Sequence, residues 1–469
     1  MMKVSGQQGW LLLDPPSSVG HARRASIREK ENAPNAPFPS IDLILLSGVI
    51  REAGFSPIYL DAQIRRWSWE QLIARAPGLD AVGAVSLVSS GRLDEELAQL
   101  ERFKRALGGA LYVVAPISLS LSAERCRALM EQHPWLDGLI LNIAENDFGP
   151  LIAGNQTQPR NVAVRIGNDI HLPSAAITYV EDLHIPQPVH AIFKDSRYYF
   201  PQTKHAPVTC VQVSFGCPYR CEFCLDNALY RRMSYRRVAD VIEELVEIDR
   251  LGFREVYFKD LTFGLNKRVT VEFLEGLKSR KLRLRWLCTT RVDVATARLL
   301  TLMRQAGCYG VEFGVESGQQ RRRALNGKPI PDEQIHEVFN RCRQLGIETT
   351  AFVIIGFEDE TEEEIRATMR FIESLRPDYV SYNVLNALPG TPLEQRARAE
   401  GFLQDETNNH SFAASNLRHK YLTPEQLEAL RSEAVRSFYR RPRTTITRLL
   451  RLRSLFELRK LVRLSRAAL

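Results

Sequence analysis

The chain has 469 residues, of which 44% are hydrophobic and 25% charged, so it is long enough for two or three folded domains and too apolar for a disordered protein. Its formal net charge is +8, but residues 431–469 hold twelve Arg or Lys against two Glu. That surplus of ten positive charges leaves about −2 for the remainder. The basicity is therefore a property of the C-terminal tail and does not indicate nucleic-acid binding by the main body.

The sequence carries no pattern typical of export or membrane insertion. No basic and then apolar signal precedes the prolines at positions 15 and 16, and no stretch approaches the roughly 18 apolar residues of a transmembrane helix. The eight cysteines lack the spacing of a secreted disulfide framework. We expect a cytoplasmic protein with reduced thiols.

Residues 1–155 alternate short β-rich runs with stretches whose apolar residues recur at helical spacing. This alternation predicts an α/β domain with a doubly wound parallel sheet, of the Rossmann or flavodoxin-like type. The predicted strands lie at 9–14, 56–62, 81–89, 110–116 and 138–145.

A connecting segment is expected over residues 156–205, which are richer in Pro, His and Asn and lack a sustained period. A second series of six strand-and-helix repeats then predicts a partial (β/α)6 barrel over 206–400, short of the eight repeats of a closed barrel. Residues 401–469 are expected to be helical and basic. The six strands are expected at 208–216, 254–260, 285–291, 309–316, 348–357 and 379–386.

Three cysteines, Cys217, Cys221 and Cys224, lie within eight residues directly after the first barrel strand. Thiolates bind soft metals, which leaves zinc and iron–sulfur clusters as alternatives. A structural zinc site needs four closed ligands, and the nearest fourth candidate is the distant His205. A cubane cluster held by three thiolates keeps one iron open for an outside ligand, and this interpretation accounts best for the count of three.

The Cys-x3-Cys-x2-Cys spacing, with the aromatic Phe223 before the last cysteine, resembles the signature of the radical S-adenosylmethionine (SAM) superfamily. The resemblance implies a [4Fe-4S] cluster whose free iron binds SAM, reductive cleavage of SAM to a 5′-deoxyadenosyl radical, and removal of hydrogen from an unactivated carbon. It also implies a small-molecule or lipid substrate and an electron donor of the flavodoxin or ferredoxin type. The protein itself supplies binding and orientation.

Further segments match this superfamily in the right order. "FKDLTF" at 258–263 resembles its second-strand acidic motif, with Lys259 in place of the usual first Asp. "GVEFGVESG" at 310–318 is similar to the strand whose glutamate, here Glu316, meets SAM. "FVIIGFEDETEEE" at 352–364 resembles the glycine motif beside the adenine, with Gly356 matching.

Two polar residues at strand ends, Asp260 and Arg291, are candidate catalytic residues, because active sites of such barrels lie at the carboxyl ends of the strands. The alternative is that they cap helices or form ion pairs. The five remaining cysteines each lie singly in apolar segments and are expected to be small buried hydrophobic residues.

A doubly wound domain before this barrel resembles the cobalamin-binding branch of the superfamily, which includes methylases of unactivated carbon. The resemblance implies a cobalamin cofactor and methyl transfer. Against it, "VVAPISLS" at 113–120 stands where the branch has Gly-Gly, and both Asp-x-His occurrences, at 169–171 and 182–184, lack the glycine of an axial-histidine motif. The sequence leaves cobalamin binding open. It also leaves the reaction outcome open between methylation on one side and rearrangement, dehydration or coupling on the other.

The tail at 444–469 alternates Leu, Ile, Val and Phe with Arg at helical spacing. A terminal helix packed on the core explains this pattern, and a helix lying on anionic lipid is the alternative. For the whole chain, the competing hypothesis from another class is a non-catalytic iron–sulfur or zinc protein that binds partners through its sheet domain.

Overall fold

The computed structural model describes residues 7–16, 37–89, 92–155, 158–173, 182–230, 232–404, 414–441 and Glu457. The predicted tail at 444–469 lies outside these residues except for Glu457. No helix in the described ranges is long and apolar enough to cross a membrane.

The first domain is a seven-stranded sheet in the order β2-β1-β3-β4-β5-β6-β7. Its first five strands are parallel, and their order is the flavodoxin-like one, which confirms the predicted fold class. The strands are β1 (Gly9–Asp14), β2 (Ser56–Asp61), β3 (Ala81–Ser86), β4 (Ala110–Val114), β5 (Gly138–Ile140), β6 (Val162–Ile166) and β7 (Asp169–His171). The helices are α1 (Ile41–Glu52), α2 (Trp69–Ile73), α3 (Leu93–Leu107), α4 (Ile117–Ser120), α5 (Ala123–Gln132) and α6 (Phe148–Ile152).

A hairpin of β6 and β7 lies within residues 156–205, the predicted connecting segment. The two strands pair antiparallel through the two-residue turn Gly167–Asn168 and extend the first sheet beyond β5. Gly167 has a φ of +61°, which a tight hairpin turn requires. β6 has the sequence "VAVRI", and its first three residues are buried. Its β-branched valines favour a strand that is buried on one face.

The second domain is built on a six-stranded sheet in the order β16-β15-β14-β13-β12-β9, with every neighbouring pair parallel. This is the predicted partial (β/α)6 barrel. The remaining strands are β8 (Asp182–Leu183), β9 (Val208–Val211), β10 (Ser214–Phe215), β11 (Ser234–Arg236), β12 (Glu255–Phe258), β13 (Arg285–Thr290), β14 (Cys308–Glu316), β15 (Glu348–Ile355) and β16 (Tyr379–Val384). The remaining helices are α7 (Leu225–Leu229), α8 (Val238–Arg250), α9 (Lys267–Ser279), α10 (Ala297–Gln305), α11 (Gln320–Leu325), α12 (Asp332–Leu345), α13 (Glu362–Leu375), α14 (Pro392–Ala399) and α15 (Pro424–Tyr439).

Local sequence sets where the barrel helices start. Thr361 and Glu364 form a capping box at the start of α13, and Thr423 and Gln426 form another at α15. The apolar faces of these helices cover the outer side of the barrel sheet in one core that includes Phe258, Trp286 and Phe313. Polar residues lie at the carboxyl ends of the strands.

The two domains share a hydrophobic core. Residues of α1, such as Ile44, lie in one cluster with Phe200 of the connecting segment and with Tyr257 on β12. At the edge of the first sheet, the hydroxyl of Tyr198 donates to Asp61 at 2.7 Å. The connecting segment therefore joins the two sheets as part of the interior.

Candidate active site

The cysteine loop, residues 217–224, lies at the carboxyl edge of the barrel. It directly follows Gly216, where a side chain has no room because φ is +94° and the carbonyl of Arg232 is too close. The backbone N–H of Cys217 donates to the carbonyl of Tyr230 at 3.0 Å, which closes the base of the loop. At the other side, the N–H of Leu393 donates to the carbonyl of Glu222 at 3.1 Å. The loop is thus held at both its base and its tip.

Within the loop, Cys221 is 8% exposed, and Cys217 and Cys224 are half-buried. Burial raises the pKa of the Cys221 thiol, and the positive charges of Lys328 and Arg291 oppose that rise. Among the described residues, no three His, Cys, Asp or Glu side chains lie as close together as in a formed metal site. Three thiols beside two buried cations are side chains of the chemical type that binds an iron–sulfur cluster. Their positions are not those of ligands around a bound cluster.

Asp260, predicted as a catalytic residue, holds the backbone that leads into the cysteine loop. Its Oδ1 accepts from the N–H of Ser214 at 2.6 Å and from the Ser214 hydroxyl at 2.5 Å, and its Oδ2 accepts from the N–H of Val213 at 3.2 Å. Burial raises the pKa of Asp260, and these hydrogen bonds oppose the rise. The carboxylate is 1% exposed and acts on the loop through its backbone.

Glu316 ends β14 in the left-handed region, with a φ of +65° that is uncommon for a glutamate. Its Oε1 contacts Nζ of Lys328, a residue to which sequence reasoning assigned no role. Burial alone would lower the pKa of Lys328, but Glu316 and Cys221 outweigh this and raise it. Backbone strain of this kind is often found at ligand sites.

Arg291, the other predicted catalytic residue, lies beside the same loop. Its guanidinium stacks on the ring of Tyr219 at 3.5 Å and binds Asp293 through Nε and Nη2 at 2.9 and 2.8 Å. Its third nitrogen, Nη1, is buried and has no hydrogen-bond partner within the described part of the chain. A buried donor without a partner costs stability, which marks Nη1 as a group available to a ligand.

Gly356 follows β15 with a φ of +81°, and a Cβ there would come within 2.6 Å of Cδ2 of Leu427. The backbone N–H groups of Gly356 and Phe357 both donate to Oε2 of Glu360, at 2.7 and 3.2 Å. Phe223 packs on the small hydrophobic cluster that contains Phe357. Phe223 and the residue that follows Gly356 therefore border the same hydrophobic cluster.

The interior of the barrel below this edge is closed by a polar network that the sequence did not indicate. Glu312 on β14 accepts from Nε2 of Gln202 at 2.8 Å, from the hydroxyl of Thr289 at 2.9 Å and from the hydroxyl of Tyr257. Nζ of Lys259 lies 3.9 Å from the centre of the Tyr257 ring. Charged and aromatic groups thus lie inside the barrel beneath the cysteine loop.

The carboxyl edge of the first sheet at β4 is filled by the chain's own side chains. Ile117 and Leu119 of α4 are 6% and 8% exposed, and α4 packs against α7, the helix that follows Cys224. A Cβ on Gly390 would lie 2.7 Å from Leu121. Side chains therefore stand at the end of β4 where the cobalamin-binding branch has Gly-Gly, and we derive no reaction step from cobalamin.

Comparison with known proteins identifies a family for the barrel and relatives for the chain. Residues 211–372 match the Radical SAM superfamily. An uncharacterized methyltransferase of Pyrococcus horikoshii is 31% identical over 265 residues, which are 56% of this chain and 57% of that protein. The anaerobic magnesium-protoporphyrin IX monomethyl ester cyclase of Cereibacter sphaeroides is 26% identical over 408 residues, 83% of this chain and 65% of the cyclase. The matches thus span less than two thirds of either relative.

Two solved structures share the two-domain fold. The radical SAM methyltransferase TsrM of Kitasatospora setae, solved with tryptophan and a SAM analogue, has a TM-score of 0.65 and 17% identity, covering 90% of this chain and 83% of TsrM. The cobalamin-dependent enzyme OxsB, solved with aqua-cobalamin and SAM, has a TM-score of 0.71 and 16% identity, covering 97% of this chain and 70% of OxsB. At these identities the likeness concerns the fold.

Proposed function

Because residues 211–372 match the Radical SAM superfamily, we propose that the chain is an enzyme that cleaves SAM reductively and removes a hydrogen atom from an unactivated carbon of a small metabolite or lipid. One observation carries the proposal. The three-thiol loop, the Glu316–Lys328 pair and the unpartnered Nη1 of Arg291 meet at one edge of the parallel barrel sheet. The carboxyl edge is where barrels of this type hold their ligands.

Cys217, Cys221 and Cys224 would hold a [4Fe-4S] cluster. When bound, this cluster supplies the electron that splits SAM into methionine and a 5′-deoxyadenosyl radical. Glu316 offers a carboxylate to the ammonium group of SAM, and Nη1 of Arg291 offers a donor to its carboxylate.

The other residues at this edge shape and close the site. The turn at Gly356 and Phe357, held by Glu360, borders the hydrophobic cluster on which Phe223 packs, and this apolar surface suits an adenine. Asp260 positions the cysteine loop through Ser214. Asn416 donates through Nδ2 to the carbonyl of Ala387 at 3.0 Å and so fastens a C-terminal segment beside this edge, which limits access of water.

Methyl transfer to carbon is a second candidate outcome, favoured by the printed names of several relatives, among them the hopanoid C-2 methylase of Rhodopseudomonas palustris. The side chains of Ile117 and Leu119 at the end of β4 are the observation against a role for cobalamin, and the fold likeness to OxsB, solved with aqua-cobalamin, is the observation for one. SAM labelled in its methyl group separates the two outcomes. Label in the product supports methyl transfer, and an unlabelled product with 5′-deoxyadenosine supports hydrogen removal followed by rearrangement, dehydration or coupling.

The test of the enzyme hypothesis is SAM cleavage by protein reconstituted with iron and sulfide without oxygen. The expected result is 5′-deoxyadenosine under strong reductant, lost in Cys221→Ala. Cys126→Ser is the matched control, because Cys126 is a buried cysteine of the first domain. Its thiol donates to the carbonyl of Leu119 at 3.2 Å, a hydrogen bond that a serine hydroxyl can also make. Protein that binds zinc instead and leaves SAM intact would refute the enzyme hypothesis and support a non-catalytic metal protein.

A further inference from the structure

The turn after α11 lies directly on the cysteine loop. It is fixed by Nδ2 of Asn326, which donates to the carbonyl of Arg322 at 2.8 Å, and by the N–H of Lys328, which donates to the carbonyl of Arg323 at 2.8 Å. Gly327 has a φ of +72°, and a Cβ there would lie 3.1 Å from the carbonyl oxygen of Arg220. The turn thus places the next residue, Lys328, against the cysteine loop.

Lys328 is only 7% exposed, and its ammonium is directed at the end of β14. Nζ contacts Oε1 of Glu316 and lies 3.5 Å from the carbonyl oxygen of Gly314. A buried ammonium is costly unless opposite charge compensates it, and Glu316 supplies that charge. The positive charge also acts on Cys221, so one ammonium touches the proposed SAM ligand and acts on a proposed cluster ligand.

We propose that Lys328 is a positioning residue with a second, electrostatic role: it holds Glu316 for the ammonium of SAM, and its buried charge favours the reduced state of the cluster. This inference rests on the proposed function. An oxidised cubane core carries two positive charges, so with three thiolates the cluster has a net negative charge. Reduction adds one more negative charge. A fixed positive charge in a poorly solvated site therefore stabilises the reduced form more than the oxidised one.

Removal of Lys328 changes the net charge beside the cluster, even though Lys328 is paired with Glu316. In the wild-type protein the two side chains form a neutral pair, whereas Lys328→Met leaves the Glu316 carboxylate alone beside the cluster. The net change is the loss of one positive charge, which disfavours reduction. Glu316→Gln makes the opposite change, because it leaves the ammonium uncompensated, so the two substitutions are expected to move the potential in opposite directions.

The experiment is a redox titration of the reconstituted cluster followed by electron paramagnetic resonance, together with SAM binding. We expect Lys328→Met to lower the ratio of reduced to oxidised cluster at a fixed potential about tenfold, equivalent to about 59 mV for a one-electron couple, and to weaken SAM binding. Lys328→Arg keeps the charge and is expected to keep the wild-type potential. Lys204→Met is the matched control, because it breaks a Lys–Glu pair of 2.7 Å with Glu348 at the opposite end of the barrel.

The outcomes separate this inference from the proposed function. A wild-type protein that assembles no cluster overturns the proposed function. A cluster that forms in Lys328→Met with the wild-type potential and SAM affinity overturns the inference alone. If the methionine variant does not retain a cluster, Lys328→Gln and Lys328→Arg give the same comparison, and equal potentials in those two variants refute the electrostatic role.

Discussion

Replacement of Glu360 by Gln is expected to stabilise the protein at high pH and not at low pH. Glu360 is fully buried, and burial raises its pKa to about 7, although Arg322 and the N–H groups of Phe357 and Gly356 oppose the rise. A folded-state pKa above the unfolded value of 4.5 means that the folded protein holds the proton more tightly. The contribution to stability is therefore complete below about pH 4.5 and is lost as the pH rises towards about 7.

The size of the effect follows from the two pKa values. The rise from 4.5 to about 7, at 1.36 kcal/mol per pH unit, corresponds to about 3.4 kcal/mol at high pH. Glutamine keeps an oxygen for the two backbone donors but has no proton to lose. The stability of Glu360→Gln relative to the wild type should therefore increase by about 2.5 kcal/mol between pH 5 and pH 8.

The assay is unfolding in guanidinium chloride at pH 5, 6, 7 and 8 for the wild type, for Glu360→Gln and for Glu428→Gln, which changes an exposed glutamate of α15. The exposed variant should follow the wild type at every pH. A difference between Glu360→Gln and the wild type that stays constant with pH would refute the reasoning, because it would mean that Glu360 ionises equally in both states.

Three further substitutions test the geometry of the edge. Asp260→Asn places an amide against the two donors of Ser214, so it is expected to lower the free energy of unfolding by about 2–4 kcal/mol. It should also lower the iron retained after reconstitution. Full iron content and wild-type unfolding would contradict this. Gly356→Ala, with its φ of +81° and its contact with Leu427, is expected to destabilise the protein by about 1–3 kcal/mol, and unchanged thermal unfolding would contradict this. Arg291→Lys is expected to weaken SAM binding about tenfold, equivalent to about 1.4 kcal/mol, because lysine lacks the planar fork and stacking of arginine; equilibrium dialysis with wild-type affinity would contradict the assignment of Nη1.

The parallel strands of both sheets could be predicted because each is a short apolar run bounded by helical periodicity. The six barrel strands all lie within one or two residues of their predicted starts, and β13 and β14 are almost wholly buried, as parallel strands require. The hairpin of β6 and β7 was missed because its short strands are partly exposed and stand in a segment rich in Pro and Asn. A short edge hairpin gives little periodic signal.

The cysteine loop could be identified from spacing, whereas the contacts around it could not. Lys328 is a single lysine in a turn, and nothing in its local sequence points to Glu316 twelve residues earlier. The role of Asp260 depends on Ser214, which lies on β10, just after the barrel strand β9, and is 46 residues away in sequence. Such partners are fixed by the register of the barrel strands, which sequence pattern alone does not specify.

The most direct test of the central claim is the electron paramagnetic resonance spectrum of the reduced, reconstituted protein before and after addition of SAM. The account predicts a [4Fe-4S] signal that changes when SAM binds, because three thiolates leave one iron open. A colourless zinc-loaded protein, or a cluster whose spectrum is indifferent to SAM, would contradict it.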